Sequence, residues 1–170
     1  LGLFTAISPN FLGDILNITN KAVIGVMVFL IFCASTLGQL LFKSKSDYHI
    51  LMLGSGTLIV GVILVGLSIQ LESFLILFIG AIISGFGQAF SFRAGLSTVN
   101  AVAPEDKQAE ITSTFFTIAY IAISIPVVGV GLLELGLGIK LAGIVFSIII
   151  VILAILSLIL LLANKKKSNS

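Results

Sequence analysis

The sequence has few charged residues. Only 9% of its 170 residues are Asp, Glu, Lys or Arg, whereas 58% are hydrophobic, and the mean hydropathy is +1.26. A water-soluble chain carries about 25% charged residues, so these charges are too few to cover a soluble globular surface. The composition therefore excludes a soluble protein and predicts one whose solvent is lipid.

Cysteine and histidine are almost absent as well. The sequence has one of each, Cys33 and His49, which are too few for a disulfide framework, a zinc site or a haem pair. There is no Gly-rich phosphate loop ending in Gly-Lys-Ser/Thr, and the GSG at 54–56 lacks the pattern of a serine hydrolase elbow. We therefore expect no enzyme activity, no metal and no cofactor. The net charge of +2 gives no indication of nucleic-acid binding either.

Long uncharged runs dominate what is present. Five such runs cover residues 22–42, 50–71, 73–92, 111–133 and 141–164. A helix of this length rises about 30 Å, which matches the hydrocarbon core of a bilayer. Strands of a membrane barrel are about 10 residues long and alternate apolar with polar residues, which these runs do not. The sequence therefore predicts an all-α polytopic membrane protein with five complete spans.

A shorter apolar segment precedes the first run. Residues 1–12, LGLFTAISPNFL, are too few to cross a membrane and do not begin with methionine. A signal peptide is the alternative, but no basic region and no convincing cleavage site precede Lys21. We expect this segment to be the remnant of a helix whose beginning is missing. The chain would then be the C-terminal part of a longer membrane protein.

Basic residues are unevenly distributed between the two sides that five spans define. One side has Lys21 and Lys140, and the other has Lys43, Lys45, Arg93, Lys107, Lys165, Lys166 and Lys167. Because positive residues accumulate in cytoplasmic loops, the larger group predicts the cytoplasmic side. This places the tail, residues 165–170, in the cytoplasm of a multi-pass cell-membrane protein. Asp14, Glu72 and Glu134 would then lie outside.

Several spans carry polar side chains, which are costly in lipid unless a partner or water is present. Candidates for lining a solute pathway are Ser35 and Gln39 in the first span, Ser84 and Gln88 in the third, and Thr117, Tyr120 and Ser124 in the fourth. Their spacing places the residues of each span on one helical face. Helix packing is the alternative for the small residues, since hydroxyls can also bond their own helix backbone.

Two further features concern the fourth and last spans. Pro126 removes a backbone donor, so we expect it to kink the outer half of the fourth span. The last span has only Ser147 and Ser157 among its branched aliphatic residues. We expect this span to face lipid on most sides.

The charged segment RAGLSTVNAVAPEDKQAE, residues 93–110, is interpreted as a cytoplasmic loop. Pro104 suits the first turn of a helix, and the acidic residues after it favour the positive end of the helix dipole. Arg93 and Glu110 bracket the loop and could pair in one conformation. This makes the two residues candidates for a cytoplasmic gate, with ordinary flanking charges as the alternative.

Two stretches resemble a known family. Residues 1–42 resemble the seventh and eighth helices of a bacterial major facilitator superfamily transporter, and residues 85–133 resemble its tenth and eleventh. The second stretch has Ala-Pro-Glu-Asp at 103–106 before a Ser/Thr-rich span that continues with Tyr120, Pro126, Gly129 and Gly131. The loop after the eighth helix departs from the family, which would have an acid at Phe42 and a glycine at Lys45.

The resemblance implies a fold and a function. The fold is the C-terminal six-helix bundle of twelve helices, with its first helix truncated, in which two halves surround a midplane cavity. The function is secondary transport of a small-molecule substrate by alternating access, with the lipid bilayer and a missing N-terminal half as partners. A non-transporting scaffold or a channel subunit is the alternative, because polar stripes also serve helix association.

Overall fold

The computed structural model describes residues 10–16, 18, 20–41 and 46–168. It contains four long helices: α1 (Lys21–Leu41), α2 (Asp47–Leu71), α3 (Phe74–Val102) and α4 (Gln108–Ser168). Each is long and apolar enough to cross a membrane. The all-α membrane class predicted from the sequence is therefore confirmed. The predictions that rest on residues 1–9, Lys43 and Lys45 lie outside the described residues.

Helix α4 is broken at Gly138. This glycine has a φ of 78° and a ψ of 160°, a conformation almost confined to glycine. Ile123 and Ile150 lie on opposite sides of the break, yet they line one cavity. In a straight helix the two residues would be about 40 Å apart. The chain therefore folds back at Gly138, and α4 forms two antiparallel limbs, limb A (residues 108–137) and limb B (residues 139–168).

Helices α2 and α3 are in close contact because small residues recur at the positions where they meet. The set comprises Gly54 and Gly61 of α2 with Gly80, Ser84, Gly87 and Ser91 of α3. A Cβ atom added at Gly61 would lie 2.5 Å from the backbone nitrogen of Ser84. Without a hydrophobic drive between helices in lipid, such close backbone packing is a main source of association. The small residues therefore determine where the two helices meet.

The turn between α2 and α3 is short. Glu72 ends α2 in a left-handed conformation with a φ of 50°, and the backbone N–H of Ser73 donates to Ser68 O at 3.1 Å. The Ser73 hydroxyl then accepts from the Ile76 N–H at the start of α3. These bonds satisfy groups that helix ends leave open.

Helix α3 is the centre of the bundle. Its other side contacts α1, where a Cβ added at Gly85 would be 3.2 Å from the Ala34 Cβ. Limb B packs on α2 instead, with Ser147 next to Gly66 and Ile69 next to Gly143. Of the four helices α3 has the largest buried share and α4 the smallest.

Apolar side chains from all these elements meet in one core cluster. It consists of Phe11, Leu12, Met27, Ile31, Val65, Ile69, Leu77, Ala81, Val130, Ala142 and Phe146. Large apolar side chains also cover the exterior of α4. This exterior suits contact with lipid, because hydrocarbon does not penalise exposed aliphatic surface as water does.

The segment interpreted as a loop from residue 93 is helical for its first ten residues. Helix α3 continues to Val102, because RAGLSTVNAV contains no proline and a single glycine. Ala103 then has an extended backbone, with φ −76° and ψ 131°, since a residue before proline avoids the helical region. Pro104 precedes a 3-10 turn at Glu105–Lys107, and α4 begins at Gln108. The loop prediction was thus wrong for residues 93–102.

Candidate functional site

A cavity of about 190 Å3 lies where the four helices meet. We call it the central cavity; its wall consists of Ile31, Leu58, Val62, Val65, Ser84, Gly85, Gln88, Ala122, Ile123, Pro126, Val127, Phe146, Ser147 and Ile150. Every helix contributes to this wall, and α4 contributes from both limbs. Most of the lining side chains are apolar, and none is charged.

Gln88 is the largest polar side chain of the wall. Its Oε1 accepts a hydrogen bond from the Ser35 hydroxyl at 2.9 Å, which links α3 to α1. Ser35 is buried. The amide Nε2 of Gln88 forms no hydrogen bond with any described residue, so a donor of this amide is available at the cavity. Ser35 and Gln88, both predicted to line the pathway, are therefore hydrogen-bonded to each other, and this bond orients the Gln88 amide.

Ser84 lies at the edge of the cavity and is packed against α2. Its side chain is 7% exposed, and its hydroxyl lies against Gly61 of α2 in the tight helix contact. Among the described residues the hydroxyl has no hydrogen-bond partner. Ser84 thus belongs both to helix packing and to the edge of the cavity.

Four predicted pathway residues lie outside the cavity, on the surface. Gln39, Thr117, Tyr120 and Ser124 are exposed, Tyr120 by 66%. The Thr117 hydroxyl donates to Ser113 O and that of Ser124 donates to Tyr120 O, both within the helix. The Tyr120 ring stacks on Phe116 at a centroid distance of 6.4 Å. The seven candidates therefore form two groups, one inside the bundle and one on its exterior.

Pro126 lines the cavity and changes the backbone hydrogen bonding of limb A. It lies inside limb A, where a regular helix would have residue 126 donate its N–H to the carbonyl of residue 122. Proline has no N–H, so the Ala122 carbonyl lacks that donor. Ala122 and Pro126 both line the cavity. Limb A stays helical at Pro126, so this residue removes one hydrogen bond of the helix, and the kink predicted there stays a prediction.

Ser147 is a cavity residue that the sequence did not indicate. We expected the last span to face lipid on most sides, yet Ser147 is buried and its hydroxyl donates to Gly143 O at 2.9 Å. The reason is that Gly143 and Ser147, four residues apart, form a small face that packs on α2. In the sequence, this four-residue spacing of two small residues was the feature that could have indicated a buried helix contact. Ser157, by contrast, is exposed.

Arg93 contacts the end of α1 and not Glu110. Its Nη1 donates to Gln39 O at 2.8 Å, and this carbonyl is one of the last four of α1, which have no partner within the helix. The ion pair found in the described part of the chain joins Lys140 to Glu72 at 2.8 Å, at the opposite end of the bundle. Arg93 therefore closes the C-terminal end of a helix whose last turn contains no basic residue.

Nothing in the described residues resembles a metal centre, since no cluster of three or more His, Cys, Asp or Glu side chains occurs there. Comparison with curated proteins and with solved structures gave no match. A family model described as Major Facilitator Superfamily matches residues 1–170. That match covers the whole chain, and the four apolar helices agree with it. The protein therefore belongs to the major facilitator superfamily and is a membrane protein of the transporter class.

Proposed function

We propose that the protein transports a small solute by alternating access, as the C-terminal half of a bacterial-type transporter. The observation that carries the proposal is the family match over residues 1–170. Members of this family place two six-helix halves around a midplane cavity and rock one half against the other. The missing N-terminal half would be the first partner of this chain.

The exposed polar groups support a second half. Thr36 and Gln39 of α1 lie on the exterior, as do Tyr120 and Ser124 of limb A. An amide that faces hydrocarbon without a partner is costly, and polar residues inside membranes generally face a bundle interior or water. We infer that these two surfaces face the pathway between the halves. The hydroxyls that bond their own backbone reduce the cost of this exposure when the halves separate.

The charge pattern supports a neutral substrate. None of the residues that line the central cavity is charged. We call Thr36 and Gln39 of α1, with Tyr120 and Ser124 of limb A, the exposed stripes of α1 and limb A. These stripes carry amide, hydroxyl and phenol groups and no charge. A charged solute would need a counter-charge within the membrane. An uncharged or weakly polar solute is therefore the class we propose.

The location follows from the same proposal. Each limb of α4 would cross the membrane separately, so that the described helices make five crossings of the cell membrane. The C-terminal lysines would then lie in the cytoplasm with Lys107.

The proposal is tested by chemical accessibility in the complete transporter. Single cysteines at Gln39, Tyr120 and Ser124, in a Cys33→Ala background, should react with a membrane-impermeant thiol reagent and be protected by the transported solute. A cysteine at Ser157 is the matched control and should stay unreactive, because lipid surrounds it. A cysteine at Ser147 should also stay unreactive, because helix packing buries it.

Two results would contradict transport along these surfaces. One is equal protection at all five positions, which a packed scaffold would produce. The other is solute flux through proteoliposomes that contain only residues 1–170, which would favour a channel subunit.

A further inference from the structure

We propose that the central cavity is a binding site for a small, uncharged, mainly apolar molecule that carries one hydroxyl group, such as a simple phenol. The site is distinct from the exposed stripes of α1 and limb A. It lies between the helices, is partly open on the side of limb A, and has a wall formed by α1, α2, α3 and both limbs of α4. The inference concerns binding and does not depend on transport.

The size of the cavity defines the size of the ligand. Its volume is about 190 Å3, whereas an apolar protein cavity of about 150 Å3 holds one benzene molecule. Drug-sized ligands occupy pockets of about 300 Å3 or more. A single ring with one small substituent therefore fits.

The polar groups of the wall define the chemistry. The Ser35 hydroxyl donates to Gln88 Oε1, so the Nε2 group of Gln88 is the part of the amide that can donate to a ligand. Pro126 has no N–H to give to the Ala122 carbonyl, and both residues line the cavity, so we infer that this carbonyl is available as an acceptor. A hydroxyl is the smallest group that both accepts and donates a hydrogen bond. One hydroxyl could thus pair with both residues, while the rest of the molecule contacts Ile31, Val65 and Phe146.

Two other occupants match this wall less well. A single water could pair with Gln88 and the Ala122 carbonyl, but it occupies only about 30 Å3. It would leave most of the aliphatic and aromatic wall without contacts. A lipid acyl chain would leave the Gln88 donor without an acceptor, which is unfavourable away from water.

The test compares two fluorinated probes that differ in the hydroxyl. The protein is purified in nanodiscs and titrated with 4-fluorophenol or fluorobenzene, and binding is followed by 19F NMR. Saturable binding of both probes is expected, with 4-fluorophenol about 3-fold to 10-fold tighter, which is the range that one net hydrogen bond supplies. Absence of saturable binding, or equal affinity for the two probes, would overturn the proposal.

Variants locate the binding. Gln88→Leu should abolish the preference for 4-fluorophenol and retain fluorobenzene binding, whereas Gln70→Leu makes the same change at an exposed position of α2 and should alter neither. Ala122→Phe fills the cavity and should abolish binding of both probes, with Ala101→Phe on the exposed end of α3 as its control.

Misfolding is controlled by circular dichroism and thermal unfolding of each variant. The comparison of the two probes on the unaltered protein stands even if a variant fails to fold. A preference that persists in folded Gln88→Leu, or binding that persists in folded Ala122→Phe, would show that the probes bind elsewhere and that the proposal is wrong.

Discussion

At the scale of single residues, the glycines of α2 differ in what surrounds them. A Cβ at Gly61 would lie 2.5 Å from both the nitrogen and the Oγ of Ser84, whereas a Cβ at Gly56, five residues earlier in the same helix, would meet no described atom within 4 Å. The backbone of α3 cannot move away from Gly61 without losing other contacts. Replacing glycine with alanine is therefore expected to affect the stability of the protein in opposite directions at the two positions.

We expect Gly61→Ala to lower the free energy of unfolding by about 1 to 3 kcal/mol, because it overpacks the α2–α3 contact. Gly56→Ala should leave stability unchanged or raise it by about 0.5 to 1 kcal/mol, because alanine favours the helix. Thermal unfolding in detergent measures both. Equal melting temperatures for the two variants would show that the close contact is absent.

Arg93 is the second residue whose role is local. Its guanidinium supplies the end of α1 with both a hydrogen bond and a positive charge. Arg93→Gln should therefore increase amide hydrogen exchange in the last turn of α1 and cost about 1 kcal/mol of stability. Arg93→Lys should restore part of the effect. Lys107→Gln removes an exposed cation elsewhere and serves as the control.

One result would contradict this role of Arg93. If hydrogen exchange in the last turn of α1 stays unchanged in Arg93→Gln, the helix-end role of Arg93 is wrong.

At the scale of elements, Gly138 determines the path of α4. With its φ of 78° and ψ of 160°, only glycine adopts this conformation without strain. Gly138→Ala should therefore cost about 1 to 3 kcal/mol and favour a straighter α4. Gly136→Ala is the matched control, because a Cβ at Gly136 meets no described atom within 4 Å and its φ is not positive.

The measurement is the distance between spin labels on the exposed positions Ile125 and Ile148, in a Cys33→Ala background. In a straight helix the two Cα atoms would be about 35 Å apart, whereas the antiparallel limbs bring them much closer. We expect a short distance in the parent protein and in Gly136→Ala, and a longer or broader distribution in Gly138→Ala. A distance near 35 Å in the parent protein would contradict the two-limb fold.

At the scale of the whole molecule, the arrangement of basic residues predicts the orientation in the membrane. Reporter fusions after residue 170 and between residues 43 and 47 should give a cytoplasmic signal. Fusions between Glu134 and Lys140 should give an external signal, because the turn at Gly138 would join two crossings. Replacing the three terminal lysines with glutamine should weaken this orientation. A cytoplasmic signal at residues 134–140 would show that limbs A and B do not each cross the membrane.

The candidate site shows where prediction from the sequence ended. Ser35, Ser84 and Gln88 were chosen for their spacing on single helices, and the structure brings them to one region because Gly85 lets α1 approach α3. The same criterion chose Gln39, Tyr120 and Ser124, which lie on the exterior. Helical periodicity shows which residues share a face, but it does not show which neighbour that face contacts. Ser147 was missed because the last span was judged by its aliphatic composition and not by the spacing of Gly143 and Ser147.

The sequence by itself determined the class of the protein, because the free energy of placing uncharged runs of 20 to 24 residues in lipid depends on composition alone. It also determined that small residues would allow close helix contacts, since the absence of a side chain is a local property. Only the tertiary structure decided that α3 lies at the centre, that α4 folds back at Gly138, and that Gln88 faces a cavity rather than lipid. Those outcomes depend on which faces pack together. Packing energy is shared between residues far apart in the chain, so the pattern along a single helix does not contain it.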